Sequence, residues 1–210
     1  LDIYRSAWQK LIEDEEKKLL DFGPIGRRRD FWVSANAEPL NFTRSQNASN
    51  YFTDYSADVD GVVVNPMIAA LADRAPRQAR KYLTVFFGPP LQKGELLYYQ
   101  IIEASSMESI YCRKSLKSRV FDPCQGIYDT TYLGLGSRSD LYGKIIEQGT
   151  PWFGFEKKTT SDSEHINFLY AFPIMGAESK VQMIVLVSSS LSSVLGRLEE
   201  ELRVFPYVYN

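Results

Sequence analysis

The chain has one histidine, His165, and two cysteines, Cys112 and Cys124. That scarcity removes most of the groups an enzyme would display. A Ser-His-Asp or Cys-His arrangement would have to use His165. It follows Glu164 in a polar turn at the head of an apolar run, the setting of a surface or edge histidine. Two cysteines and one histidine cannot close a four-ligand zinc site without distant carboxylates. No Walker loop is present. Gly134-Leu135-Gly136 lacks the third glycine of a dinucleotide fingerprint and reads as a turn before a helix. Asp21-Phe22-Gly23 stands without the other elements of a kinase. No catalytic residues, metal or cofactor are therefore expected in this domain.

Long apolar runs and charge of one sign are missing too. The longest apolar run, Met183-Ile184-Val185-Leu186-Val187, is a strand by length, far short of the ~20 residues that span a bilayer. Twenty-four Lys and Arg stand against 26 Asp and Glu, a formal net charge of -2. No field directs the chain to nucleic acid, and Arg27-Arg28-Arg29 is too short to change that. The chain begins at Leu1 without Met and reads as a piece of a longer protein.

What is present is a foldable composition: 44% hydrophobic and 13% aromatic over 210 residues, enough for a sizeable core. The spacing of Cys112 and Cys124 permits one disulfide in an oxidising compartment, or two free thiols in a reducing one.

Apolar residues at spacing four (Ile3, Ala7, Leu11; Tyr4, Trp8, Ile12) predict a long first helix ending near Gly23-Pro24. Residues 31–58 read as loop. A short strand at Val62-Val63-Val64 precedes a helix opened by Asn65-Pro66. Pro76 restarts a helix that Gly88-Pro89-Pro90 should break. Beyond that the pattern turns to sheet. Strands are expected at 96–104 and 107–112, joined by Ser105-Ser106, and at 126–133. A helix capped by Ser139 or Asp140 buries Leu141, Tyr142, Ile145 and Ile146 and ends at Gly149. Strands follow from Pro151, over 165–174 and over 180–188. The stripe Leu191, Val194, Leu195, Leu198, Leu202 predicts a last helix. Consecutive antiparallel strands with flanking helices make an α+β fold. Two regions are expected: 1–95, an N-terminal helix with a helical and irregular subdomain, and 96–210, the sheet domain with its C-terminal helix.

The candidate site lies in 138–155. Arg138, Tyr142, Trp152 and Phe155 combine a cation with three aromatics, the mix of apolar wall and orienting polar group that a ligand site needs. Arg can clamp a carboxylate with two parallel hydrogen bonds. The same four residues serve equally well as plain core with Arg138 on the surface. Glu103, within an apolar strand, reads as facing outward.

The stretch Ser137-Arg138-Ser139-Asp140-Leu141-Tyr142-Gly143-Lys144-Ile145-Ile146-Glu147-Gln148-Gly149-Thr150-Pro151-Trp152 resembles the Cache family of bacterial extracytoplasmic sensors. Ile166 to Ile174, with Pro173 near its end, is similar to that family's penultimate strand, and Val181 to Leu198 to its last strand and exit helix. The resemblance implies a PAS-like antiparallel sheet and a long N-terminal helix arriving from a membrane span. Arg138 and Tyr142 would contact ligand, Trp152 and Phe155 would form pocket wall, and Ser188 would stand where amino-acid-binding members carry an Asp. It implies the periplasmic or extracellular domain of a membrane-anchored receptor: a histidine kinase, chemoreceptor or cyclic-dinucleotide enzyme. Such a domain takes a small-molecule ligand, a carboxylate fitting Arg138, and could dimerise through its first helix. A second reading is a protein-interaction domain that binds a periplasmic partner without a small ligand. A third is a hydrolase pairing Cys112 or Cys124 with His165.

Overall fold

The computed structural model describes residues 2–24, 32, 58–59, 62–63, 76–117, 122–126, 128–175 and 180–202. Helix α1 covers Asp2–Leu20 and buries Leu11 and Leu19, with Trp8 and Ile12 packed beside them. Strands β1 (Asp58–Val59) and β2 (Val62–Val63) form a small antiparallel ribbon. The expected loop over 31–58 falls almost wholly outside the described residues, and the helix expected from Asn65-Pro66 lies outside them.

Helix α2 spans Pro76–Lys93 and carries Pro89 and Pro90 inside it, where the sequence predicts a break. Two ring nitrogens cannot donate, so the last turn loses backbone bonds. Contacts from outside the helix hold it instead. Leu91 is buried, Ser115 Oγ donates to the Leu91 carbonyl at 2.7 Å, and Lys117 Nζ donates to the Lys93 carbonyl at 2.7 Å.

The seven remaining strands are β3 (Tyr98–Glu103), β4 (Ser109–Lys114), β5 (Asp129–Tyr132), β6 (Gly136–Ser137), β7 (Trp152–Thr159), β8 (Glu164–Met175) and β9 (Val181–Ser190). They form one antiparallel sheet in the order β4-β3-β9-β8-β7-β5-β6. In chain order its five longest strands run 2-1-5-4-3, the arrangement of a PAS-like sheet. The fold is α+β, as the strand pattern predicts.

Alternation gives the sheet two buried faces. One carries Tyr99, Ile101, Phe168, Tyr170, Phe172, Val185 and Val187 and packs on α1, α2 and Val194. The other carries Tyr98, Ile102, Leu169, Ala171, Ile184 and Leu186 and packs on helix α3 (Arg138–Gln148) through Leu141, Tyr142 and Ile145. The cap of α3 is Ser137, not Ser139 or Asp140. Asp140 is instead the third helical residue and closes a capping box with Ser137. Gly149 ends the helix at φ 61°, as expected. Cys112 and Cys124 are joined in a disulfide, Cα to Cα 5.6 Å. With both sulfurs bonded to each other, neither offers a thiol to His165. Glu103 is half-buried and accepts a hydrogen bond from Ser106 Oγ at 2.7 Å.

The last helix, α4 (Leu191–Leu202), continues directly from β9. It meets α1 through a buried carboxylate. Glu15 is 1% exposed, receives Lys18 Nζ at 2.7 Å, and pairs with Arg197 of α4 at 2.5 Å. Burial pushes the Glu15 carboxyl up, but Lys18, Ser189 and Arg197 together outweigh it and hold it below the usual range. A carboxyl lowered by folding stabilises fully above its unfolded value, about 4.3, and loses that contribution as pH falls through its folded value. Between pH 5 and pH 3 (roughly, from those values) the wild-type melting temperature should therefore fall more steeply than that of Glu15→Gln. Parallel melting curves for the two proteins would refute the assignment.

Candidate functional site

Strand β7 alternates Trp152, Gly154, Glu156 and Lys158 onto the face that α3 covers. The indole of Trp152 lies over Gly154, where an added Cβ would stand 2.5 Å from it. It meets Tyr132 of β5 edge-on at 5.9 Å. Glu156, with no exposed surface, sits at the centre. Tyr98 of β3 donates its hydroxyl to Glu156 Oε2 at 2.6 Å. Ser188 Oγ of β9 lies 3.0 Å from Oε1 and 2.9 Å from the Phe168 carbonyl, its one proton shared between the two acceptors, and Asn167 Nδ2 of β8 donates to Oε1 at 3.3 Å. Three strands thus converge on a carboxylate carried by a fourth.

Lys158 is 3% exposed. Its Nζ lies 3.8 Å from Glu156 Oε2 and 4.4 Å from the centre of the Tyr98 ring, a cation–π geometry. Burial holds its ammonium below the usual lysine range; Glu156 opposes that effect and Arg138 adds to it. Burial, with Glu156 beside it, pushes the Tyr98 phenol well up. Tyr132 is likewise raised by burial, against the pull of Arg138. Burial takes Tyr142 up to about 12. Among the described residues the buried Tyr142 hydroxyl makes no well-formed hydrogen bond; it lies next to Tyr132. Arg138 opens α3 at the solvent edge of this cluster and donates to Thr130 Oγ1 at 3.3 Å.

The structure brings Arg138, Tyr142, Trp152 and Ser188 to one face. It does not bring Phe155, which β7 turns to the opposite face, against Phe168 at 4.7 Å. Phe155 belongs to the core shared with α1 and α2, because three residues along a strand reverse the side-chain direction. The charged centre of the site, Glu156 with Lys158, was missed from sequence because Glu156-Lys157-Lys158 reads as the polar end of a strand. The signal was available: both residues share the parity of Trp152.

Tyr98, Glu156, Asn167 and Ser188 offer a fixed carboxylate beside an aromatic face, and Arg138 offers a guanidinium at the rim. The chemistry suits a small ligand with charged groups. Among the described residues no cluster of three or more His, Cys, Asp or Glu could hold a metal ion, and no helix is long and apolar enough to cross a membrane.

The sequence matches no known family profile and no curated relative. Solved structures show a distant likeness. The periplasmic domain of Vibrio cholerae LuxQ is similar over 64% of this chain and 55% of its own, at 10% identity and TM-score 0.39. The LOV domain of the blue-light photoreceptor Aureochrome1 is similar over 51% of this chain and 97% of its own, at 16% identity and TM-score 0.34. The Rhodobacter sphaeroides LOV protein is similar over 55% and 78%, at 10% identity and TM-score 0.33. No ligand, cofactor or partner of this chain follows from likeness at that level.

Proposed function

We propose that this chain is the extracytoplasmic ligand-sensing domain of a bacterial membrane receptor, binding a small metabolite on the α3 face and relaying the event through α1 and α4. The observation that carries this reading is the convergence of Arg138, Tyr142, Trp152 and Ser188 around the buried Glu156–Lys158 pair. A buried ion pair adds little net stability over an apolar pair of similar volume, so packing alone gives no reason for these two charges. The path outward is short. Ser188 touches Glu156 on the site face, while the next residue, Ser189, faces the other way, beside the Glu15 carboxyl, its hydroxyl buried without a well-formed hydrogen bond among the described residues. Two residues later β9 becomes α4, whose Arg197 pairs with Glu15 of α1. A change in the hydrogen bonding of Ser188 would thus bias the ion pair joining the terminal helices.

A thermal-shift screen against small carboxylates, amino acids, amines and sugars tests the proposal. A ligand at a hundredfold excess over Kd should add about 2.7 kcal/mol of stability, and Arg138→Ala should abolish the shift for carboxylates. Arg138 is exposed, so the variant should melt like the parent without ligand. No shift with any class would move the function to the binding of a partner protein.

A further inference from the structure

The Lys158 ammonium lies between a buried carboxylate and an aromatic face, 3.8 Å from Glu156 Oε2 and 4.4 Å from the centre of the Tyr98 ring. We propose that the niche formed by Tyr98, Glu156, Asn167 and Ser188 is a recognition site for an alkylammonium group, plugged in this state by the chain's own Lys158, which an amine-bearing ligand displaces. The proposal rests on the small-molecule reading above and narrows its ligand class.

Three features of the niche support it. First, the carboxylate is held independently of the lysine. Tyr98, Ser188 and Asn167 donate to its two oxygens at 2.6, 3.0 and 3.3 Å, so Glu156 is oriented whether or not Lys158 stays. Such preorganisation lowers the ordering cost of binding. Second, the Nζ–Oε2 separation of 3.8 Å is a charge contact and exceeds hydrogen-bond length. An ammonium free of a tethering stem could approach the same oxygen more closely. Third, the Tyr98 ring at 4.4 Å gives the niche a cation-selective wall, with the aromatic pair Tyr132 and Trp152 on the same face.

The plug has somewhere to go. Lys158 pairs across the sheet with Thr130 and His165, and Thr130 lies next to the exposed Arg138. A four-carbon stem on that side can carry its charge toward water. Lys158 withdrawn to the rim beside Arg138 would place two cations at the mouth, suited to the anionic end of a ligand whose ammonium has entered.

Calorimetric titration with propylammonium chloride, 1-propanol and sodium propionate tests this on the whole domain. Lys158→Met removes the competing ammonium while keeping an unbranched stem one atom shorter. It should bind propylammonium about tenfold more tightly than wild type, the equivalent of one charge contact, and should not bind propanol. Adding Glu156→Gln, or Tyr98→Phe if that pair fails to fold, should abolish or weaken the gain. In wild type, saturation with propylammonium should remove the upfield ring-current shift of the Lys158 Cε protons. The proposal is overturned if Lys158→Met binds propylammonium no better than wild type, if propanol binds equally, or if the gain survives Glu156→Gln. Propionate binding that depends on Arg138, with no propylammonium binding in any variant, would sink the ammonium niche and leave the sensor reading standing.

Discussion

Replacing Glu156 with leucine should cost about 3–5 kcal/mol, the usual penalty for removing one partner of a buried ion pair. The reason is what remains behind. Lys158, 3% exposed, would lose its anionic neighbour at 3.8 Å, and the donors on Tyr98, Ser188 and Asn167 would lose their acceptor. For a domain of this size the melting temperature should drop by roughly 10 °C. The double variant Glu156→Leu, Lys158→Met separates lost charge from lost packing. An apolar pair of similar volume removes both charges, so stability should return to within about 1–2 kcal/mol of wild type, the deficit reflecting orphaned hydroxyl and amide donors. Urea titrations with an unchanged slope would measure this. If the double variant is no more stable than the single one, Lys158 is held by other contacts and the pair is not the centre of the network.

The same cluster shows where sequence reading succeeds and where it stops. The long strands were legible because β8 and β9 carry near-continuous apolar runs buried on both faces, and α4 because its stripe has helical spacing. Arg138 and Tyr142 come from one side of α3, since residues four apart share a helix face. Trp152 and Phe155 were wrongly grouped, since strand parity separates them. Pro89 and Pro90 misled for a different reason. Local preference forbids them in a helix, but Ser115 and Lys117, more than twenty residues away, bond the carbonyls at the helix end. Beyond the parity that Glu156 and Lys158 share with Trp152, the Glu156 network has no local signature. Its donors come from β3, β8 and β9, and only the strand order makes them neighbours.

The disulfide supplies the second large effect. Cys112 lies in β4, which stands at the edge of the sheet and, among the described residues, pairs with β3 alone. Cys124 lies 12 residues on, in a segment otherwise tied back by Lys114 and Asp122 at 2.6 Å. Closing a loop of this length restricts the unfolded chain by about 3 kcal/mol on the chain-entropy model. Cys112→Ser, Cys124→Ser should lose that much, and reductant should lower wild-type stability by a similar amount while leaving the variant unchanged. The loss should also be local. An edge strand freed of its tether opens more readily than the strands behind it, so amide exchange over 109–114 should accelerate well before exchange over 183–188. Cys112 also packs against the core beneath α3, so opening the edge would loosen one wall of the candidate site. Weaker ligand binding on reduction, absent in the double variant, would tie the cross-link to the site. If the variant matches wild type within about 0.5 kcal/mol, the margin of a neutral surface change, the Lys114–Asp122 pair and the β3 ladder hold the edge without the covalent bond.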